Sequence, residues 1–327
     1  MTKIAINGFG RIGRLFFRQI IEKPEFEVVA VNDLGSLENL EYLLKYDTVY
    51  GRFDKGLKGI RFLQEKDPAL LPWKELGVDI VVESTGVFES YELSSLHLKA
   101  GAKRVELTAP ASDKDTATAK TVLVGVNDKE AQGCQITSNG SCTTNSVASV
   151  LEILRENPGI KKAVLNTVHG YTATQNLVDG PVRGKDVRRG RAAAQNIAPS
   201  TTGAASAVTR AVPGLEGKFD GIALRVPVAV GSIADLTFLS SRPTSVEEIN
   251  DILKKAGQSS RWKGILNVTE DPIVSSDIIG EPYGAIIDLT FTRVIDRDLV
   301  KVLSWYDNEW GYAATLVKHI ELVAETL

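Results

Sequence analysis

The sequence has few of the residues from which metal sites and disulfide frameworks are built. Its 327 residues include only two cysteines, Cys134 and Cys142, and three histidines, His97, His169 and His319. Two cysteines eight positions apart supply neither a disulfide framework nor a zinc-ligand set. We therefore expect no metal site.

Long apolar runs are also missing. No stretch approaches the roughly 18 consecutive apolar residues that a membrane-spanning helix needs. The first residues lack the apolar segment of a signal peptide. These patterns predict a protein without membrane association and with a cytoplasmic location.

An excess of charge of one sign is absent as well. The 38 lysines and arginines nearly balance 41 acidic residues, which gives a net charge of -3. Nucleic-acid-binding domains usually carry a basic surface, so we expect no nucleic acid as primary ligand. Hydrophobic residues make up 43% and charged residues 24%, as in ordinary globular proteins. The length predicts about two domains.

The pattern of predicted elements changes near residue 140. Before it, short strand-like runs such as 3–7, 26–31 and 121–126 alternate with helical spacing such as 11–22 and 90–100, which is typical of a parallel sheet covered on both faces. After it, strands dominate, and residues 285–295 and 299–305 form a hairpin candidate. Ser245 and Glu248 form a capping box that predicts a helix over 245–258. We predict an α/β Rossmann domain with a mostly parallel, doubly wound sheet, followed by an α+β catalytic domain with a largely antiparallel sheet.

A glycine-rich turn follows the first predicted strand. Residues 8–13 read G-F-G-R-I-G and open the first helix. Gly8 permits a tight turn, Gly10 lets the backbone approach a pyrophosphate, and Gly13 lets helix and strand pack closely. Asp33, 20 positions later, is placed to bind a ribose 2′-hydroxyl and to repel a 2′-phosphate, which favours NAD over NADP. The alternative is a strand–helix turn in which the glycines only satisfy the backbone geometry of the turn and bind no cofactor.

A polar segment around Cys142 follows a later strand. Residues 138–145 read S-N-G-S-C-T-T-N, and apolar residues then recur at helical spacing. A thiol at a helix N-terminus has a lowered pKa and is a better nucleophile. A lone cysteine is otherwise an inert buried residue, which is our interpretation of Cys134.

A thiolate requires a proton partner. His169 ends an apolar strand at a Gly170 turn, where open-sheet proteins present functional groups. His97 and His319 lie within predicted helices and are interpreted as packing or surface residues. By elimination, His169 is the base or acid that acts with Cys142.

Three features of the second half suit anions. A loop of nine residues holds five basic side chains, namely Arg183, Lys185, Arg188, Arg189 and Arg191. Arginine binds phosphate through two parallel hydrogen bonds, although a solvated loop is the simpler interpretation. Arg225 interrupts an apolar strand and needs a partner or a cleft. Residues 200–203, S-T-T-G, precede a helix and form another possible phosphate site. Together these features indicate a phosphorylated substrate.

The motifs, in this order, resemble those of phosphorylating glyceraldehyde-3-phosphate dehydrogenases. The resemblance covers residues 7–14, 32–33, 43–47, 84–88, 138–145, 167–175, 193–205, 269–276 and 304–312. It implies a Rossmann domain over residues 1–141, completed by a C-terminal helix over 308–327, and a catalytic domain over 142–307. It also implies a homotetramer that oxidises glyceraldehyde-3-phosphate with NAD and inorganic phosphate to 1,3-bisphosphoglycerate, in glycolysis or gluconeogenesis.

The resemblance assigns roles to individual residues. Cys142 is the implied nucleophile, which forms a thioester, and His169 is its proton partner. The implied NAD contacts are Asn7, Gly8, Gly10, Arg11, Ile12, Gly13, Asp33, Thr85, Gly86, Thr108, Asn308 and Tyr312. The implied ligands of the substrate phosphate are Thr172, Arg225 and Arg189. The implied ligands of inorganic phosphate are Ser141, Thr143, Thr202 and Gly203.

Residues 228–232, V-A-V-G-S, depart from the family pattern in a region near its subunit interface, and the loop over 182–186 also differs.

The alternatives within the enzyme class are a hydrolytic erythrose-4-phosphate dehydrogenase, in which glutamate tends to replace Asp33, and an aspartate-semialdehyde dehydrogenase, whose motifs do not match. A non-catalytic dinucleotide-sensing protein would be expected to lose Cys142 or His169.

Overall fold

The computed structural model describes residues 1–182 and 186–327. They divide into two compact units. The first unit contains Met1–Ser141 and Ala313–Leu327, and the second contains Cys142–Tyr312. Of the basic loop predicted from the sequence, Arg183 and Lys185 lie outside the described residues.

The strands of the first unit are β1 (Thr2–Asn7), β2 (Phe26–Asn32), β3 (Tyr46–Asp47), β4 (Gly51–Arg52), β5 (Arg61–Leu63), β6 (Ile80–Glu83), β7 (Arg104–Leu107), β8 (Ala119–Thr121) and β9 (Ile136–Ser138). Its helices up to Ser141 are α1 (Arg11–Ile20), α2 (Leu37–Lys45), α3 (Trp73–Leu76), α4 (Tyr91–Ser94) and α5 (Leu96–Lys99).

The main sheet of the first unit is parallel. Its strand order is β5-β2-β1-β6-β7-β9-β8, and every neighbouring pair is parallel. This confirms the predicted Rossmann class. Two local predictions are wrong: residues 122–126 form turns after a short β8, and the helix expected over 90–100 is divided into α4 and α5.

Both faces of this sheet are buried, as a doubly wound sheet requires. On one face Ile4 packs with Phe16 of α1 and with Ile320 near the C-terminus. On the other face Ala5 packs with Trp73. The apolar side chains of these strands therefore contribute to a separate hydrophobic core on each face of the sheet.

The strands of the second unit are β10 (Ile160–Gly170), β11 (Ala198–Thr201), β12 (Phe219–Val226), β13 (Ser232–Ser240), β14 (Leu266–Thr269), β15 (Ala285–Ile295) and β16 (Leu299–Tyr306). The remaining helices are α6 (Cys142–Glu156), α7 (Ala204–Ala211), α8 (Val246–Gln258) and α9 (Trp310–Ala324), of which α9 continues into the first unit.

The sheet of the second unit is mixed and mostly antiparallel, as predicted. Its order is β11-β12-β10-β13-β16-β15-β14. Two pairs, β10 with β12 and β14 with β15, are parallel. The first of these pairs brings His169 of β10 directly opposite Arg225 of β12, which positions two of the predicted site residues side by side.

The turn between β15 and β16 has the backbone of a tight hairpin. Asp296 and Arg297 have φ values of 47° and 63°, a left-handed conformation that two-residue hairpin turns require. Helix α8 begins after Ser245, whose side chain accepts a hydrogen bond from the Glu248 N–H, as its sequence predicts. Within the described ranges, every helix is too short or too polar to cross a membrane.

Candidate active site

The glycine turn of the first unit has the close contacts that only glycine allows. Gly8 has a φ of 95°, and a Cβ on Gly13 would lie 2.1 Å from the Gly8 carbonyl oxygen. A Cβ on Gly10 would meet nothing within 4 Å. The start of α1 is therefore open to a ligand at Gly10, where the helix dipole favours a phosphate.

Asp33 lies directly after β2 and is held by this turn. One carboxylate oxygen accepts a hydrogen bond from the Phe9 N–H at 2.7 Å, and the other accepts from the Gly35 N–H at 2.8 Å. A carboxylate has further acceptor sites, so Asp33 can still bind ribose hydroxyls. Within the described residues, backbone donors and no side chain fix the position of this carboxylate.

A cavity of about 670 Å³ opens beside Asp33 in the first unit. Five of the predicted cofactor residues line it, namely Asn7, Gly8, Gly10, Asp33 and Thr85. Leu34, Pro68, Phe88 and Leu96 provide apolar parts of the wall. A concave, partly apolar pocket with convergent polar groups is typical of a nucleotide site.

The other predicted cofactor residues are not among those that line this cavity. Arg11 forms an ion pair with Asp47, Ile12 packs against the core, and the Thr108 hydroxyl donates to the Glu83 carbonyl. Gly86 has a positive φ of 69° beside the cavity wall. Tyr312 is buried at the start of α9.

A buried polar group beneath the cavity was not found from the sequence. The Glu83 carboxylate accepts the Thr85 N–H at 2.8 Å and contacts His97 Nε2 at 3.0 Å. The Trp73 indole N–H donates to His97 Nδ1 at 2.9 Å. The sequence feature that could have indicated this group is a charged residue at the end of an apolar strand, as in I-V-V-E over 80–83.

The second unit brings Cys142 and His169 together. Cys142 is the first residue of α6, and His169 is the tenth of β10. The Cys142 Sγ lies 3.4 Å from His169 Nε2. The thiol is half-buried, and the imidazole is only 4% exposed. This is the contact that a nucleophile and its base require.

Burial controls the proton affinity of both groups. Burial raises the pKa of the Cys142 thiol, although Arg225 and hydrogen bonds from Thr143 act in the opposite direction. Burial and then the charge of Arg225 lower the pKa of His169 from 6.5 to about 3. The predicted lowering of the thiol pKa is therefore wrong, because desolvation outweighs the favourable charges.

Tyr306 connects the elements that carry this pair, and the sequence analysis missed it. Its buried hydroxyl lies 2.8 Å from Thr143 Oγ1 and 2.7 Å from Thr167 Oγ1. Its ring stands edge-to-face against His169, with centroids 5.9 Å apart. Burial raises the pKa of Tyr306 well above its ordinary value, so the hydroxyl stays protonated. A tyrosine at the end of an apolar strand was the only signal.

The predicted ligands of the substrate phosphate make two separate sets of contacts in the second unit, one at Arg225 and one at Arg189 and Thr172. Arg225 Nη1 lies 2.7 Å from His169 Nδ1. Arg189 donates to Thr174 Oγ1 at 3.0 Å and to Ser200 Oγ at 3.1 Å, and Thr172 Oγ1 lies 3.0 Å from the same Thr174 hydroxyl. Arg189 thus connects the segment after β10, which carries Thr174, to Ser200 of β11.

The remaining predicted phosphate ligands lie at helix starts. Gly203 is the N-cap of α7, and the Thr202 hydroxyl accepts the Ala204 N–H at 3.1 Å. Thr143 lies in the first turn of α6, and Ser141 directly precedes that helix. Helix N-termini favour anions through their free N–H groups and dipole.

Asn308 is held by the segment that departs from the family pattern. Its Oδ1 accepts hydrogen bonds from the Gly231 N–H at 3.1 Å and the Ser232 hydroxyl at 3.0 Å. Ser232 also accepts the Gly170 N–H. Because Oδ1 is occupied by two donors, the amide NH₂ is left to donate to a ligand.

Comparison with known proteins agrees with these features. Residues 2–91 match the family model of the glyceraldehyde 3-phosphate dehydrogenase NAD binding domain, and residues 141–308 match that of its C-terminal domain. The glyceraldehyde-3-phosphate dehydrogenase of Mycobacterium avium is 48% identical over 345 aligned positions, which cover 100% of this chain and 99% of that protein.

Two further relatives carry the same name. The Streptomyces coelicolor protein is 48% identical over 329 positions, with 96% of each chain covered. The Clostridium pasteurianum protein is 44% identical over 340 positions, with 99% of each chain covered. The resemblance and the NAD cofactor predicted from the sequence are confirmed. The chain belongs to the glyceraldehyde-3-phosphate dehydrogenase family, NAD-dependent oxidoreductases of glycolysis.

Proposed function

We propose that this chain oxidises glyceraldehyde-3-phosphate to 1,3-bisphosphoglycerate through a thioester on Cys142, with inorganic phosphate as second substrate. The observation that carries the proposal is the contact of 3.4 Å between Cys142 Sγ and His169 Nε2 beside an arginine. A nucleophile that forms a covalent intermediate divides one difficult step into two easier ones.

The proton movements are assigned to the thiol and imidazole. The thiol proton passes to His169 Nε2, and the sulfur uses its freed electron pair to form a bond to the aldehyde carbon. His169 gives its proton to the resulting oxygen, so that a hemithioacetal hydroxyl forms. His169 then takes that hydroxyl proton back as the carbon is oxidised to the thioester. Attack by inorganic phosphate on the thioester carbon releases the Cys142 thiolate.

NAD supplies the hydride acceptor when it is bound. The residues that fit it are Asp33 for the adenosine ribose, Gly8 and Gly10 for the pyrophosphate, and Asn308 for the carboxamide. The fixed Asp33 carboxylate and the open space at Gly10 support this assignment. The two oriented acceptor contacts of Asn308 support the third.

The two anion sites divide between the substrates. Thr172, Arg189 and Arg225 are proposed to bind the phosphate of the substrate. Ser141, Thr143, Thr202 and Gly203 are proposed to bind inorganic phosphate. Their positions at the β10 end and at the starts of α6 and α7 support this division.

We also infer a homotetramer in the cytoplasm. Val164 of β10 and Ile222 of β12 are 56% and 54% exposed on neighbouring strands, and exposed apolar patches favour subunit contacts. The two cysteines are both free, as a reducing compartment requires. Light scattering on the purified chain tests the tetramer.

The test of the reaction is the formation of NADH from glyceraldehyde-3-phosphate with and without inorganic phosphate. We expect sustained turnover that requires phosphate and prefers NAD to NADP. Turnover that is indifferent to phosphate would indicate hydrolysis of the thioester, and erythrose-4-phosphate would then be the substrate to examine.

A further inference from the structure

The side chain of Asn308 ends in an amide whose two polar atoms have opposite roles. Oδ1 can only accept hydrogen bonds, and the NH₂ group can only donate them. A half-turn of the amide exchanges the two atoms with almost no change of shape, so the neighbours decide which of them a ligand meets. Asn308 is only 5% exposed, and these neighbours therefore belong to the folded chain.

The backbone N–H of Gly231 is the first of these neighbours. Its nitrogen lies 3.1 Å from the Asn308 amide, and because an N–H can only donate, the atom that it meets must be Oδ1. Gly231 has a φ of 100°, and a Cβ at this position would lie 2.5 Å from the Ser275 carbonyl oxygen. The donor is thus held in a conformation that glycine allows.

The hydroxyl of Ser232 supplies a second donor to the same oxygen. Ser232 Oγ lies 3.0 Å from Asn308 Oδ1 and 3.1 Å from the Gly170 nitrogen. The Gly170 N–H can only donate, so it takes a lone pair of Oγ and leaves the hydroxyl proton to Asn308. Ser232 is 1% exposed, so bulk water does not compete for these bonds. Both lone pairs of Oδ1 are therefore occupied.

Strand pairing keeps Ser232 within reach of Asn308. Ser232 begins β13 and is paired with Tyr306, the last residue of β16, and Asn308 follows two positions later. Asp307 accepts the Trp310 N–H at 2.8 Å, which fixes the backbone at the start of α9 as an N-terminal cap does. The backbone thus places Asn308, and the orientation of its amide depends on Gly231 and Ser232.

We propose that Ser232 is a positioning residue for the cofactor. Together with Gly231 it occupies Oδ1, so that Asn308 presents only its NH₂ group and recognises the carbonyl oxygen of the nicotinamide carboxamide, not its amino group. An amide held in advance loses less freedom on binding than a mobile one. The inference rests on the proposed function in one respect, the assignment of Asn308 to the carboxamide.

Cofactor analogues separate this role from cofactor binding in general. ADP-ribose lacks the nicotinamide ring. The 3-acetylpyridine analogue of NAD keeps the carbonyl but has a methyl group in place of the amino group. The thionicotinamide analogue has sulfur, a weaker acceptor, in place of the carbonyl oxygen.

Calorimetry with the full chain and without substrate measures the four dissociation constants. For the unmodified protein we expect NAD and the acetylpyridine analogue to bind within about twofold of each other. The thionicotinamide analogue is expected to bind about fivefold more weakly, which corresponds to the loss of one hydrogen bond.

Variants of one strand make the test specific. Ser232→Ala is expected to weaken NAD binding about fivefold, to leave ADP-ribose binding within about twofold, and to narrow the difference between NAD and the thionicotinamide analogue. Ser232→Thr keeps the hydroxyl and is expected to restore most of the affinity. Ser240→Ala is the matched control in β13, because its buried hydroxyl donates to the Arg242 carbonyl at 2.6 Å, and all four constants should stay unchanged.

The proposal is overturned if Ser232→Ala leaves NAD binding unchanged while Asn308→Ala weakens it, and the assignment of Asn308 then stands. Equal losses of NAD and ADP-ribose affinity in Ser232→Ala also overturn it, because the serine would then act on the whole site. An acetylpyridine analogue that binds as weakly as the thionicotinamide analogue shows that the carbonyl is not the recognised group.

Failure of the proposed function has a different signature. If Asn308→Ala changes NAD and ADP-ribose affinity equally, Asn308 does not contact the carboxamide, and its assignment fails together with the role of Ser232. Absence of phosphate-dependent turnover of glyceraldehyde-3-phosphate contradicts the proposed reaction, whatever the four dissociation constants.

Discussion

The two units surround their buried histidines with opposite partners. In the first unit His97 Nε2 lies 3.0 Å from a Glu83 oxygen, and His319 Nε2 lies 2.6 Å from a Glu106 oxygen. Both histidines are fully buried. In the second unit His169 is nearly as buried, but its neighbours are a thiol and a guanidinium.

This difference separates a structural from a reactive histidine. The Trp73 indole N–H can only donate to His97 Nδ1, and the Glu83 carboxylate accepts from Nε2. The proton of His97 is therefore fixed on Nε2. Among the described residues, no carboxylate pairs with His169: Nδ1 lies 2.7 Å from both the Gly170 carbonyl oxygen and Arg225 Nη1, and Nε2 faces the Cys142 thiol. A buried histidine that is not fixed by a carboxylate is free to exchange its proton with a nucleophile.

The largest effect is expected from Cys142→Ala. Loss of the nucleophile should reduce the overall rate by about 10³-fold or more, while NAD binding in the other unit is retained. Cys134→Ala is the matched control, because the Cys134 thiol is buried and donates to the Glu130 carbonyl. NADH formation and NAD binding are measured for both, and turnover retained by Cys142→Ala would remove this thiol from the mechanism.

A smaller loss is expected from His169→Asn. Removal of a general base typically costs about 10²–10⁴-fold in rate, and the effect should fall on kcat. His97→Gln retains an N–H for Glu83 and should leave kcat within a few fold. Equal losses of kcat in the two variants would show that the two histidines do not differ in the way described.

The carboxylate-bound histidines should instead affect stability. His319→Leu leaves a buried oxygen of Glu106 without this partner and should lower the free energy of unfolding by about 1–3 kcal/mol. The double variant Glu106→Leu, His319→Leu should recover part of the loss, because no buried carboxylate remains. Denaturant titration measures both, and a double variant less stable than His319→Leu would contradict this account.

The smallest effect is expected from Tyr306→Phe. The ring contact with His169 is kept, but the hydroxyl that joins Thr143 to Thr167 is lost, at a cost of about 1 kcal/mol. We expect a several-fold decrease in kcat with little change in KM. Thr167→Val removes one of the same hydrogen bonds and should act in the same direction, whereas an unchanged kcat in both variants would exclude this role of Tyr306.

Much of the fold followed from periodicity and turn signals. Alternating strands and helices predicted the parallel sheet, and the capping pattern at Ser245 predicted the start of α8. The prediction of a strand over 122–126 was wrong because apolar content alone does not distinguish a strand from a buried turn.

The site was less predictable where it depends on partners distant in sequence. Cys142 and His169 could be chosen from their local patterns. The contact of Arg225 with His169 depends on the parallel pairing of β10 with β12, which no local signal specifies. The rise in the Cys142 pKa also depends on burial by the folded chain, and a helix N-terminus alone predicted the opposite direction.

The central claim is that His169 takes the proton of the Cys142 thiol. The pH dependence of Cys142 alkylation by iodoacetamide tests it most directly, with the unmodified protein compared with His169→Asn. Because burial raises the thiol pKa, loss of the base should shift the alkylation profile to higher pH and slow the reaction near neutrality. Superimposable profiles for the two proteins would contradict the claim.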